Sequence, residues 1–313
     1  MRMIDRATAE ALLEPAALVD HFAACHREAR ATSGDILLHD PQAGSGATML
    51  CRAAWRSGKA LGIKFGPIMP ANADQGLPTV ITMVALFEGA TGQPVAIIDG
   101  HPITNWKTAA DSALAQRQLS RGDAKRLLMV GAGTLAPYLV RAHVAVRPSL
   151  REVVIFNRGR PRAEALVKTL AGHGITATIA EDLEQAARQA DVISTATLSE
   201  EPLIRGAWLK PGTHLDLVGA YLPTMREADV AATTAGRLFV DNREAAVGGC
   251  GELCDAFAAG KASAASIEGD LYDIVAKDLR RRAPDEITVY KNVGGGHLDL
   301  MTAEFVAKKL GLL

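Results

Sequence analysis

The 313-residue sequence predicts an α/β protein in two parts, a smaller α+β part followed by a doubly wound one. Three observations carry that expectation. From Arg126 onward short apolar runs alternate with helical segments, the pattern of a parallel sheet with crossover helices. Before that point, strands follow one another through hairpin turns, which indicates an antiparallel or mixed sheet. At the junction, Leu127-Leu128-Met129-Val130 ends in Gly131-Ala132-Gly133-Thr134-Leu135-Ala136 and runs at once into an apolar helical segment, Pro137 to Val146.

Taken in order, Ala7 to Ala31 reads as helix, with Leu12, Leu13, Leu18, Val19 and Phe22 near helical spacing. Ile36 to Leu38 reads as a strand running into a turn at Pro41, Ala43 to Ala47 as a small-residue hairpin, and Thr48 to Ala53 as the returning strand. Leu61 to Gly66 is a further strand in which Lys64 breaks an apolar pattern, and Pro67 to Pro78 is a loop. The apolar run Val80 to Glu88, a turn through Pro94 and the strand from Val95 complete this part. A helix then opens with Thr104 as N-cap and stops at Gly122. Six strands follow, at Leu127–Val130, Val153–Phe156, Thr176–Ile179, Val192–Thr195, His214–Val218 and Leu238–Val240. The tail reads as helix, the strand Ile287 to Lys291, a glycine loop and a last helix, folding back towards the first part. Residues 1–122 with 286–313 thus form one domain and 123–285 the other.

The chain is 48% hydrophobic and 22% charged with a formal net charge of −1, ordinary for a globular protein and no recommendation to nucleic acid. Its four cysteines make no disulfide framework, and Cys250 and Cys254 read as small core residues without metal-ligand company. No apolar run approaches a membrane span, and no signal-type apolar stretch follows Met1, so the expected location is the cytoplasm.

Gly-x-Gly-x-x-Ala between a buried strand and a helix is the mark of a Rossmann-type dinucleotide-binding domain. Gly131 permits the tight turn, Gly133 lets phosphate approach the backbone, Ala136 lets helix and strand pack closely, and the helix N-terminus offers free N–H groups. An NAD-specific site would place an acid at the end of the second strand to hold the ribose 2′-hydroxyl. Here Asn157 is neutral and Arg158 and Arg160 follow, so NADP(H) is expected over NAD(H). The strand ending Thr195-Ala196-Thr197 presents small residues suited to the nicotinamide ribose.

Four blocks together resemble the ornithine cyclodeaminase/mu-crystallin family. They are Leu61-Gly62-Ile63-Lys64 with Asn72 and Gly76-Leu77-Pro78-Thr79; Thr91-Gly92-x-Pro94, Asp99-Gly100 and Ile103-Thr104-x-x-Lys107-Thr108-Ala109-Ala110; the glycine corner with Thr195-Ala196-Thr197 and His214-x-x-x-Val218-Gly219-Ala220; and Lys291-x-Val293-Gly294. The resemblance implies a first domain for substrate and dimerisation, and a homodimer. It adds Thr108, Thr134, Leu135, Val218, Gly219, Lys291 and Val293 to the cofactor residues. It also makes Lys64 the leading catalytic candidate, a lysine in an apolar strand whose lowered pKa would let it pair with a carboxylate and exchange a proton. Lys107, in the first turn of a helix, is the second cation, while Thr79 and Tyr221 are further candidates. His214 reads as a hydrogen-bonded core histidine.

Departures from the family pattern bear on the substrate. Lys107 stands where the family has arginine, Tyr221 where cyclodeaminases have an aspartate for the distal amine, and Leu135 where glutamine is usual. The family's early substrate arginine is not evident near Asp35 to His39. These features imply an NAD(P)H-dependent reductase of a small cyclic imino acid of the pyrroline-2-carboxylate type, or of a related amino/imino acid. The alternatives are an ornithine cyclodeaminase that recycles NAD, with Asp216 as the replacement acid, and an NADP-dependent binding protein with little turnover.

Overall fold

The structure is a computed structural model and describes residues 1–42 and 46–313, so most of the hairpin expected over 43–47 lies outside the described residues. Its contacts divide the chain into Met1–Lys107 with Gly295–Leu313, and Thr108–Gly294. From sequence alone the divisions fall at 122/123 and 285/286.

In the first unit the strands are β1 (Arg2–Ile4), β2 (Thr32–His39), β3 (Thr48–Arg56), β4 (Ala60–Ile68), β5 (Met83–Glu88) and β6 (Pro94–Asp99). Among the described residues they form one sheet in the order β1-β6-β5-β4-β3-β2, with β1 parallel to β6 and the other neighbours antiparallel. The helix expected over 7–31 is two, α1 (Arg6–Leu12) and α2 (Pro15–Cys25). Pro15 cannot continue α1. It opens α2 instead, where the Glu14 carboxylate accepts from Ala16 N at 3.1 Å and Ala17 N at 2.7 Å. Helix α3 (Gly100–Leu119) starts a turn before Thr104, because Asp99 Oδ1 accepts from His101 N at 2.8 Å and serves its first turn. Lys107 is therefore the eighth residue of the helix, and the expected argument from a helix N-terminus does not apply to it.

The second unit alternates strand and helix: β7 (Arg126–Val130), α4 (Ala136–Val146), β8 (Glu152–Phe156), α5 (Arg160–Ala171), β9 (Ala177–Ile179), α6 (Leu183–Gln189), β10 (Val192–Thr195), β11 (His214–Leu217), α7 (Val230–Thr233), β12 (Arg237–Val240), α8 (Arg243–Gly249), α9 (Gly251–Ala258), β13 (Ile267–Gly269), α10 (Leu271–Ala276) and β14 (Thr288–Lys291). The strands form an all-parallel sheet in the order β13-β12-β14-β11-β10-β7-β8-β9. Strand order reverses at β7, with β8 on one side and β10 on the other, so ligands belong outside the carboxyl end of β7. Leu128, Val130, Ile193, Leu215, Leu217 and Val289 build the core, which explains why these strands are continuously apolar. β13 is a strand that periodicity alone does not reveal, and β14 is a central strand between β11 and β12.

The chain rejoins the first unit as α11 (Gly296–Lys309), which packs on α2, β3 and β4. The glycine at its start is a packing requirement, since a Cβ on Gly296 would lie 2.8 Å from Arg52 Cγ. No helix of the described residues is long and apolar enough to cross a membrane.

Candidate functional site

At the end of β7 the backbone of Gly131 turns with φ +104, and a Cβ there would stand 2.5 Å from the carbonyl oxygen of Ala196. Gly131 N donates to Phe156 O at 2.8 Å, which ties the turn to β8. Gly133 is exposed, and a Cβ on it would meet nothing within 4 Å, so the space above the corner is open. Thr134 is exposed, Leu135 half-buried at the N-cap of α4, and Ala136 fully buried against the sheet. This cradle fits a dinucleotide pyrophosphate: bare backbone, open space and a helix start come together. Asn157 Oδ1 accepts from Ala132 N at 3.1 Å and its Nδ2 donates to Gly159 O at 2.8 Å, bracing the corner. Arg158 is exposed, whereas Arg160 already holds Glu164 and Glu181.

The loops after β10 and β11 hang on one residue that sequence alone does not single out, Glu227. Its carboxylate is fully buried and accepts from Thr195 Oγ1 at 2.6 Å, Thr197 N at 2.6 Å, Thr197 Oγ1 at 2.8 Å and Gly219 N at 2.6 Å. Ala196 lies between these anchors, and Val218 N donates to Thr195 O at 3.0 Å. Behind Glu227, Glu252 Oε1 accepts from Glu227 N at 2.9 Å, and Lys291 Nζ stands 3.7 Å from Glu252 Oε2 with both side chains fully buried. Burial raises the Glu252 carboxyl, and the Lys291 charge opposes that rise. Lys291 thus lies inside the scaffold of these loops. Val293 N and Gly294 N both donate to Asp241, and Asn292 Nδ2 donates to Thr108 O at 3.1 Å.

The first unit carries the cations. Lys64 is 5% exposed, and its Nζ donates to Asp299 Oδ1 of α11 at 2.8 Å, so a buried carboxylate, not an apolar wall, meets the ammonium. Across the ladder Asp35 pairs with Arg52 and Arg52 with Lys64, which sets three charged side chains in a row on one face. Arg52 grips Asp35 with Nε at 2.9 Å and Nη2 at 2.6 Å from Oδ2. Arg52 lies one strand over from the stretch Asp35 to His39, and sequence reading did not single it out. Register could have revealed it: Arg56 faces Ala60 across the turn, so Arg52 must face Lys64. Lys107 is 5% exposed on α3. His297 is held neutral, its pKa well below the ordinary value through burial first and then the charges of His26, Lys107, Arg30 and Arg52. Thr79 is half-buried, and its carbonyl accepts from Met69 N at 2.7 Å.

The remaining candidates are placed as follows. Tyr221 is 55% exposed. Asp216 is fully buried and accepts from Ser112 Oγ at 2.8 Å and Ser194 Oγ at 2.7 Å, with His143 Nε2 at 3.2 Å. His214 is fully buried with Nδ1 2.9 Å from Thr288 Oγ1, and burial pulls its pKa down to about 3. His21, Cys25 and Glu304 converge within 4.8 Å, but Arg56 already holds Glu304 and burial pushes the Cys25 thiol up to about 12.

A glycine corner at the switch point of a parallel sheet is the cradle of a dinucleotide-dependent protein. Comparison with known proteins makes this particular. The chain belongs to the ornithine cyclodeaminase/mu-crystallin family, whose model matches residues 36–311. It is 44% identical over 284 residues to a Delta(1)-pyrroline-2-carboxylate reductase of Paracoccus denitrificans, covering 90% of this chain and 89% of that one. Among solved structures it resembles the Thermococcus litoralis Delta(1)-pyrroline-2-carboxylate reductase in complex with NADH and L-proline, with a TM-score of 0.91 at 26% identity over 99% and 98% of the two chains. The iminosuccinate reductase of Paracoccus denitrificans in complex with NAD+ gives a TM-score of 0.88 at 27% identity over 99% and 97%. The chain is an NAD(P)-dependent oxidoreductase of this family.

Proposed function

We propose that this enzyme reduces a small cyclic imino acid of the Δ1-pyrroline-2-carboxylate type to the corresponding amino acid. The observation that carries the reading is the buried Lys64–Asp299 pair, in register with Arg52 on the neighbouring strand. The kinship with the Paracoccus denitrificans reductase supports the same substrate class. Reduction adds hydride to the imine carbon and a proton to the ring nitrogen. The Gly131 corner would hold the dinucleotide, whose nicotinamide would supply the hydride. Arg52, Lys64 and Lys107 provide the positive charge that holds the substrate carboxylate, and the Lys64 ammonium donates the proton. Asp299 keeps the lysine aimed and stabilises the ammonium that reforms from solvent. Glu227 sets the Thr195–Thr197 and Gly219 loops that receive the nicotinamide ribose. Within this division of labour, Met1–Lys107 with Gly295–Leu313 serves substrate and dimerisation, and Thr108–Gly294 serves the cofactor.

We further propose NADP(H) over NAD(H), because Asn157 brings no charge to the ribose and exposed Arg158 is left to meet a 2′-phosphate. A homodimer suits β2, an edge strand whose Ile36, Leu37 and Leu38 are 60%, 52% and 59% exposed. Leu37→Lys should then lower the mass measured by light scattering.

The test mixes the purified protein with Δ1-pyrroline-2-carboxylate and NADPH, and separately with ornithine and NAD, following nicotinamide absorbance and ammonia. Absorbance loss in the first mixture is expected. Ammonia without net absorbance change in the second would make the enzyme a cyclodeaminase, and silence in both would leave only binding.

A further inference from the structure

The amino-terminal edge of the second unit's sheet holds a cavity that the dinucleotide corner does not use. It encloses about 470 Å³ and is lined by Arg117, Arg121, Arg147, Arg280, Arg281 and Arg282, against one acidic side chain, Asp123, among the described residues. Its walls come from the end of α3, the residue that closes α4 and the segment leading into β14. Gly131 lies beyond the other end of β7, a five-residue strand that spans about 16 Å.

Three of these arginines have carboxylate partners. Arg121 holds Asp123 at 2.6 Å, Arg280 holds Asp278 at 2.9 Å, and Arg282 holds Glu268 at 3.0 Å. Arg147 and Arg281 have none within 4.0 Å among the described residues. Arg147 Nη2 donates to Arg117 O at 2.7 Å, while its Nε is buried without a hydrogen-bond partner. Arg281 donates to Leu119 O at 3.0 Å, to Thr213 O and Thr288 Oγ1 at 3.3 Å, and through Nη1 to Glu286 O. These carbonyl and hydroxyl contacts aim the two guanidinium groups without cancelling their charge. Burial lowers the pKa of both; Arg117 adds to this at Arg147, while at Arg281 Glu286 opposes it, Arg121 and Arg237 add to it, and Asp285 opposes it.

We propose that this pocket binds a multiply charged phosphate group, through Arg147 and Arg281 at its floor and Arg117, Arg121 and Arg280 at its rim. Guanidinium forks match the oxygens of phosphate in pairs, and converging forks favour a dianion over a single carboxylate. The volume exceeds that of one phosphate, so the group arrives either as free phosphate or pyrophosphate or as the phosphoryl end of an organic ester. Because arginine stays charged, binding should strengthen as phosphate takes its second charge near pH 6.

The test uses the full-length protein at constant ionic strength, with inorganic phosphate, inorganic pyrophosphate and glycerol 2-phosphate titrated by calorimetry and by thermal unfolding against a chloride control. Pyrophosphate should raise the melting temperature with NADPH absent and with NADPH saturating. Arg147→Gln, which keeps a donor for Arg117 O, should weaken its affinity at least tenfold, and Arg280→Gln at the exposed rim should weaken it several-fold with an unchanged melt. Tighter binding of glycerol 2-phosphate than of inorganic phosphate would assign the ester as the source, and the reverse order the free anion. The proposal is overturned by a shift no larger than chloride gives. A shift that vanishes with NADPH or in Arg158→Ala, which would place the anion at the glycine corner, overturns it too. Wild-type affinity in both Arg147→Gln and Arg280→Gln does the same.

Discussion

Breaking the Lys64–Asp299 pair separates its structural role from its chemical one. The side chains are 5% and 2% exposed, and Asp299 Oδ2 has no hydrogen-bond partner among the described residues, so Lys64 is the main compensation for a buried carboxylate. Lys64→Met preserves the aliphatic stem but strands that charge, at a cost of about 3–5 kcal/mol. Against a total stability of roughly 5–15 kcal/mol this is a large fraction. Asp299→Leu strands the ammonium instead and should cost a similar amount. The double variant strands nothing, and replacing a buried pair by apolar groups is often neutral or stabilising. A double-mutant cycle in urea should therefore show the second substitution recovering at least about 3 kcal/mol of what the first removed. Turnover with Δ1-pyrroline-2-carboxylate should be absent in all three variants, while NADPH affinity stays near wild type. A double variant as unstable as either single one would refute the electrostatic reasoning. Turnover in Lys64→Met would remove the lysine from the proton step.

Three further outcomes follow from the second unit. Arg158→Ala should weaken NADPH far more than NADH in a fluorescence titration, and equal losses would refute the 2′-phosphate reading. Glu227→Gln turns an acceptor of four hydrogen bonds into a group that is half donor, opposite the N–H groups of Thr197 and Gly219. It should cost about 2–4 kcal/mol in unfolding experiments and raise the dinucleotide Kd at least tenfold, and an unchanged melt and Kd would show that the loops stand without it. His214 goes from an ordinary value of 6.5 to about 3 in the fold, mainly through burial, so the unfolded chain takes up the extra proton. Its contribution is complete above pH 6.5 and is lost as pH falls towards 3, by roughly 5 kcal/mol in all. His214→Gln should flatten the acid limb of stability against pH; an unaltered limb would assign the loss to other groups.

Local chemistry made some parts of this molecule readable in advance and hid others. The corner at Gly131 was readable because strand, turn and helix lie next to one another in sequence. Helix α3 misled by one turn because Thr104 is a good cap in isolation, while Asp99 reaches the earlier amide. The break at Pro15 depends on Glu14, an unusual cap that satisfies two amides at once. What no local pattern reveals is pairing at long range: Asp299 stands 235 residues from Lys64, and Glu227 is 32 residues from Thr195. Both are acids in otherwise unremarkable segments, and only the folded register gives them partners. β14 is a similar case, since a lone apolar run near the C-terminus carries no mark of the central place it takes between β11 and β12.

The same long-range pairing bears on the choice between the reactions that the family offers. Cyclodeamination of ornithine needs an acid for the distal ammonium. Here that position is Tyr221, exposed and uncharged, and the replacement expected from sequence was Asp216. That carboxylate is committed elsewhere: its oxygens take Ser112 and Ser194, His143 stands beside it, and the residue is fully buried. These partners hold its pKa below the usual carboxylate value despite burial, so freeing it would mean undoing a charge-stabilised network. In the first unit, Asp299 and Asp35 are likewise taken, by Lys64 and Arg52. None of these three carboxylates, Asp216, Asp299 and Asp35, is left without a partner to meet a second ammonium, which favours a substrate with a single carboxylate and a ring nitrogen.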